Sequence, residues 1–306
     1  MRVALPALHM IHMHRRWEAP SAGLVLERHE ARSDGIVLVR DRFGPRTRSR
    51  CSLIERMQGP SEPRGAPWTS VCAPLAGTMR VRHRGRELEL EPGEMLVATF
   101  DMAHSHDGEL DVVRVLVRQG EEIPPSDEGV WRLGATGRAA LRRLGAELAR
   151  SGSTGTRSLR DAVSWVASVA TAAGIALPPR AVRERVVEAS AHDARIASAI
   201  EASTARFSER PHGVDLAQHL GISERHALRL VNEHIARHFV SVPTWRALIG
   251  EHRLWLGVLL LGTGRARTEE ASRWLGHTSP TSLCHAFARA QLPSPGALGH
   301  ALSQLG

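Results

Sequence analysis

At 306 residues and 42% hydrophobic content the chain is long enough for two domains with real cores, and its longest apolar run, Leu254–Leu261, falls far short of the ~20 residues that a membrane-spanning helix needs. Its formal net charge of +8 rests on arginine alone, since lysine is absent, which suits anionic partners and says nothing of fold. Three cysteines, Cys51, Cys72 and Cys284, are odd in number and lack metal-ligand spacing; they imply no disulfide framework and fit a reducing cytoplasm.

In chain order, residues 1–20 form a leader too short in its apolar run for a secretory signal. His9, His12 and His14 cluster there without an interleaved carboxylate or cysteine, so a loosely docked leader is expected and no metal is assigned. From Gly23 to Val117 the pattern is that of strands. Leu24–Leu26, Ile36–Val39 and Cys51–Ile54 are short apolar runs between polar turns. Met79, Val81 and His83 then alternate with Arg80, Arg82 and Arg84, Gly85 turns the chain, and Leu88 and Leu90 alternate with Glu87, Glu89 and Glu91. Pro92-Gly93 makes a further turn, followed by strands over 95–100 and 111–117. Gly77, this hairpin, the Glu91-Pro92-Gly93-Glu94 turn and His104 together resemble the small jelly-roll, or cupin, sensor domain of a family of bacterial regulators. That likeness implies a domain over 21–125 that senses a small molecule or mediates dimerisation. In His104-Ser105-His106, alternate strand positions could offer two imidazoles to one ion, with Glu109 beyond. Glu109 comes early for that pattern and a fourth ligand is lacking, so no metal or other cofactor is assigned here either.

Past Val117 the composition turns helical. Leu141, Leu144 and Leu148 predict a helix over 138–150, Ser151–Gly155 breaks it, and Leu159, Ala162, Val163 and Val166 predict another over 158–173, stopped by Leu177-Pro178-Pro179. This region, 126–190, is expected to be a helical linker that helps make a dimer or packs on the sheet. A helix from His192 to Phe207 then opens the last part, 191–306.

The most informative stretch follows. Leu216, Ala217 and Leu220 share a helix face, Gly221 ends that helix, and Ser223 opens a second. There Ala227, Leu230, Val231 and Ile235 make the inward stripe, while Arg225, Arg229 and Asn232 fall together on the outward side. Arginine pairs with guanine O6/N7 and asparagine with adenine N6/N7, so the triplet suits a major groove. After a connecting helix over 244–261, in which Gly250 and Gly257 weaken the pattern, the device recurs. Thr268 starts a helix, Gly276 ends it, and Ser279-Pro280 caps another with Leu283, Ala286, Phe287 and Ala290 inward. Thr281, Ser282, His285 and Arg289 face out.

The run Leu216-Ala217-x-x-Leu220-Gly221-Ile222-Ser223-x-Arg225-His226-x-x-Arg229-Leu230, the Arg253-Leu254 pair and Leu275-Gly276-x-x-Ser279-Pro280 with Ala286-Phe287 resemble the C-terminal domain of AraC-type transcription regulators. The resemblance covers about the last hundred residues and departs from the family pattern at His277, Ser282, His285 and Leu292. It implies two helix-turn-helix units on a linker helix, each entering a major groove of double-stranded DNA. Arg225, His226, Arg229 and Asn232 would read the first groove, and Thr281, Ser282, His285 and Arg289 the second. The fold class expected is therefore α+β, an N-terminal antiparallel jelly-roll followed by an all-α domain. The function expected is a cytoplasmic DNA-binding regulator responding to a small-molecule effector, possible as a homodimer and contacting RNA polymerase if it activates. No nucleophile elbow, phosphate-binding glycine loop or His-Glu-x-x-His motif supports catalysis. Two other readings stay open: a metal-dependent cupin enzyme built on the His104 region, and a helical module that binds protein rather than DNA.

Overall fold

The computed structural model describes residues 7–32, 36–50, 68–83, 86–99, 103–118, 129–149, 185–188, 190–205, 210–238 and 242–303. Among the described residues eleven strands come first: β1 Ala7–Ala19, β2 Leu24–Arg32, β3 Ile36–Phe43, β4 Arg48–Arg50, β5 Trp68–Ala76, β6 Met79–His83, β7 Arg86–Leu90, β8 Glu94–Thr99, β9 Ala103–Asp107, β10 Leu110–Arg118 and β11 Gly129–Arg132. Helix α1, Ala135–Ala149, and strand β12, Arg185–Glu188, lead to helices α2 Ala191–Thr204, α3 Gly213–Leu220, α4 Glu224–His238, α5 Trp245–Gly262, α6 Thr268–Trp274, α7 Pro280–Arg289 and α8 Pro295–Ser303. Sheet first and helices after is the α+β arrangement that the periodicity predicts. Among the described residues no helix is long and apolar enough to cross a membrane.

The strands form two sheets, one ordered β11-β8-β5-β10-β3-β2-β1-β12 and a smaller one ordered β4-β9-β6-β7. Among the described residues the ladders are antiparallel except β1 with β12. Their facing sides share one apolar layer in which Leu24, Leu26, Phe43, Cys72, Leu96 and Val112 meet Met79, Val81 and Leu90. The predicted hairpin is β6–β7, with Arg80 opposite Glu89 and Arg82 opposite Glu87. Gly77 turns the chain before it at φ +77, and a Cβ there would stand 2.1 Å from the Glu109 carbonyl oxygen; only glycine fits.

Two expectations change. The loosely docked leader is, over Ala7–Ala19, a strand paired with β2 from Ile11 opposite Arg32 to Ala19 opposite Leu24. Residues 185–188, expected in a helical linker, add a parallel strand to its outer edge. The helix predicted over 138–150 is present as α1, which covers the outer face of the large sheet. A Cβ on Gly145 would lie 2.6 Å from Leu75, and its carbonyl accepts from Arg40. That cover explains why Val37, Leu38 and Val39 are all buried, against the alternation of a half-exposed strand. The strand predicted over 51–54 and the helix over 158–173 lie outside the described residues.

Helices α2 and α5 lie against β1 and β2, where an inner-face layer is charged rather than apolar. Arg28 pairs with Asp41 through two bonds of 2.7 and 2.8 Å, Arg114 donates to the same carboxylate at 2.9 Å, and Arg15 reaches Glu30 at 2.6 Å. Buried ions persist only when paired. Helix α5 closes the layer: His252 lies 2.6 Å from the Arg15 guanidinium, and the Trp255 ring sits 4.2 Å below that of Arg28.

Candidate nucleic-acid interface

Helix α3 buries Leu216, Ala217 and Leu220, and ends at Gly221 with φ +65. The expected C-terminal glycine is thus in place. Asp215 accepts the backbone N–H of His212 at 2.6 Å and fastens the helix start. Helix α4 then buries Ala227, Val231 and Ile235 completely. Arg225, His226 and Arg229 are exposed on its other side. Arg229 bonds Glu233 one turn on, at 2.8 Å. Helix α2 straps this unit to the sandwich: Arg195 donates to the Leu220 carbonyl, Asp193 lies 3.3 Å from His234, and the Thr204 carbonyl accepts the Trp17 indole N–H at 3.1 Å.

The second unit repeats the plan. Arg267 donates its backbone N–H to Glu270 at the start of α6, Gly276 turns the chain at φ +72, and Ser279 caps α7. Leu283 and Phe287 are fully buried, whereas Thr281, His285 and Arg289 are exposed. Between the units α5 runs unbroken through Gly250 and Gly257. At Gly257 a Cβ would sit 3.2–3.3 Å from Leu275 and Phe287, so the glycine marks where the second unit presses on the linker helix. The Trp274 indole also donates to the Glu18 carbonyl of β1 at 2.9 Å, tying this unit to the sheet.

Both second helices border one cleft of about 1080 Å³, with Glu224, Leu228 and Asn232 on one wall and Ser282, Ala286 and Arg289 on the other. Its floor is α5. Arg246 and Arg253, two turns apart on that helix, join Arg210 and Arg289 at the lining. Burial first, and then the guanidiniums of Arg253 and Arg289, push the His277 imidazole down to about 4. Burial and Arg210 likewise lower the pKa of Arg253, whose Nε has no hydrogen-bond partner. Positive groups therefore crowd a concave surface. Arg210 and Arg246 escaped the sequence reading, although the seven-residue step from Arg246 to Arg253 already sets those two on one helix face.

Two predicted base readers are otherwise engaged. The Asn232 carbonyl oxygen accepts the backbone N–H of Trp245 at 2.8 Å, and a bidentate pair with adenine needs both amide atoms. Asn232 fastens α5 to α4 instead. The Ser282 hydroxyl donates to the Ser279 carbonyl at 2.9 Å and faces that residue's N–H, so it completes the α7 cap. Of the predicted set, the structure leaves Arg225, His226, Arg229, Thr281, His285 and Arg289 on exposed surface. Elsewhere His106, considered as a ligand, is buried against Phe43 with ring centroids 4.2 Å apart, while Glu109 is exposed.

No family model and no curated protein sequence matches the chain. Among solved structures it is similar to an apo variant of ToxT from Vibrio cholerae, at 9% identity over 89% of this chain and 99% of that one, with a TM-score of 0.34. It is similar also to the AraC-like transcriptional activator CuxR, at 13% identity over 71% of this chain and 77% of that one, TM-score 0.33. A cupin domain of an XRE-family transcriptional regulator from Enterobacter cloacae matches 28% of this chain and 83% of its own, at 10% identity and TM-score 0.22.

Proposed function

We propose that the chain is a sequence-specific regulator of transcription, of AraC type, which binds double-stranded DNA through both helix-turn-helix units. The observation that carries this is the placing of α4 and α7 on the two walls of one arginine-lined cleft. Arg225, His226 and Arg229 offer donors to base edges in one major groove, and Thr281, His285 and Arg289 do so in the next. Arg229 must give up Glu233 to do this; an exposed pair of this kind is worth at most about 1 kcal/mol, so the exchange costs little. Arg210, Arg246 and Arg253 lie between the two helices and would meet the intervening phosphates, supplying the salt-dependent part of binding.

In the same reading the β sandwich responds to a small molecule, and its state reaches the DNA-binding units through α2 and α5. The contacts of Trp17 with Thr204, Arg15 with His252 and Trp274 with Glu18 make that route mechanically direct. Pairing of two copies, and contact with RNA polymerase where the chain activates, belong to this proposal as well.

Selection of duplexes from a random pool tests it. The enriched sites should carry two short elements centred about 10 bp apart, one helical turn, because two reading helices on one linker reach successive grooves on one face. Absence of enrichment over random duplex refutes the reading and favours the protein-binding module. Enrichment of a single element leaves α7 without a base-reading role.

A further inference from the structure

The pair of strands that carries the sandwich's contacts with the helices also gathers His14, Glu27 and His29, whose ligand atoms all lie within 4.8 Å of one another. His14 and His29 are direct partners in the β1–β2 ladder, and Glu27, two residues before His29, shares its face. The geometry converges on one oxygen. His14 Nε2 stands 3.1 Å and His29 Nε2 3.3 Å from Glu27 Oε1, and the two rings are stacked at 4.3 Å and 11°. His29 is almost wholly buried, Glu27 and His14 progressively less so, which makes a shallow site with a closed base and an open mouth. Arg42 stands 3.6 Å from the other carboxylate oxygen, Oε2, and so leaves Oε1 to the imidazoles.

We infer that His14, Glu27 and His29 form a binding site for a divalent transition-metal ion of the zinc class. Two imidazole nitrogens and one carboxylate oxygen make a borderline-soft ligand set of the kind that suits such ions, and water completes the coordination. An ion there replaces two hydrogen bonds that compete for one acceptor with three metal–ligand bonds. Its position gives it leverage. The backbone N–H of His14 donates to Glu201 of α2 at 2.6 Å, and α2 is the strap that holds the first helix-turn-helix unit. On the opposite face of the same strand, Arg15 and Trp17 make their contacts with α5 and α2. Metal occupancy therefore stiffens the segment on which the reading helices are seated.

The test uses the full chain, expressed without a polyhistidine tag and stripped with chelator, titrated with Zn²⁺ by calorimetry and with Co²⁺ by visible absorption. One ion per chain is expected, together with a rise in melting temperature on adding Zn²⁺, since a ligand of the folded state alone stabilises it. His14→Ala and Glu27→Gln should each weaken Zn²⁺ binding by about tenfold or more, on the scale that even outer-shell changes reach, and should abolish the thermal shift. His106→Ala, a buried imidazole outside the site, should leave affinity unchanged. Because His14 is partly exposed, its alanine variant is the informative one if Glu27→Gln folds poorly. Zn²⁺ uptake that is absent, or that survives His14→Ala undiminished, overturns the assignment. Neither result bears on whether the helical units bind DNA.

Discussion

Asp41→Asn is the sharpest probe of how the sandwich holds its helices. Burial pushes the Asp41 carboxyl up, but the guanidiniums of Arg28 and Arg114 outweigh it and hold the group at about 2 against an ordinary 3.8. At about 1.4 kcal/mol per pH unit that difference corresponds to roughly 2.5 kcal/mol of stability. Because the folded-state pKa lies below the unfolded one, this stability is present above pH 3.8 and is lost as pH falls through about 2. The amide substitution removes more than that. It leaves Arg28, with no exposed side-chain surface, as a charge without its carboxylate, a situation that typically costs about 3–5 kcal/mol. Arg28 is also the cation stacked over the Trp255 ring, so the loss reaches the α5 contact. Urea unfolding at neutral pH, followed by tryptophan fluorescence and by circular dichroism, reads the effect. Asp41→Asn should lower stability by about 3–5 kcal/mol, whereas Arg80→Ala, which breaks only the exposed pair with Glu89, should change it by less than about 1 kcal/mol. Equal, small effects of the two substitutions would show that the buried charges are not held as described.

Two further substitutions test particular assignments. Asn232→Ala removes the acceptor for the Trp245 N–H, so it should destabilise the α4–α5 junction by about 1 kcal/mol while leaving the preferred bases at the operator unchanged; a changed preference at one base pair would return Asn232 to the readers. The His106 imidazole, pushed down to about 4 mainly by burial, is neutral when folded and takes up a proton more readily when unfolded. Stability should therefore decline as pH falls from about 6.5 toward 4, by roughly 3 kcal/mol in all from this group, and His106→Phe should flatten the decline; an unaltered slope in that variant would place the pH dependence elsewhere.

The helical part was legible because its signals are local. Leu216, Ala217 and Leu220 before Gly221, and Leu283 and Phe287 after Ser279-Pro280, carry spacing and capping within a few residues of one another, and the structure reproduces both units. Strand β1 escaped because its alternation is disguised. Its buried positions include Arg15 beside Met13 and Trp17, and an arginine reads as outward until Glu30 supplies its partner from the next strand. The same non-locality governs the partners of Asn232 and Ser282. Each lies on the less buried side of its helix, as the spacing predicts, but its hydrogen-bond partner is a backbone group that helical periodicity alone does not place. His14 stood out in the sequence beside His9 and His12, yet the groups that meet it, Glu27 and His29, arrive across the strand pair.

Base reading by the exposed side of α4 is measured by comparing Arg225→Ala and Arg229→Ala with the unaltered protein on the selected operator and on random duplex at one salt concentration. Each substitution should weaken operator binding by about 1–3 kcal/mol and random-duplex binding far less, with relaxed preference at one base pair apiece. Equal losses on both duplexes would make these arginines phosphate contacts, and no loss on either would remove α4 from the interface and contradict the account.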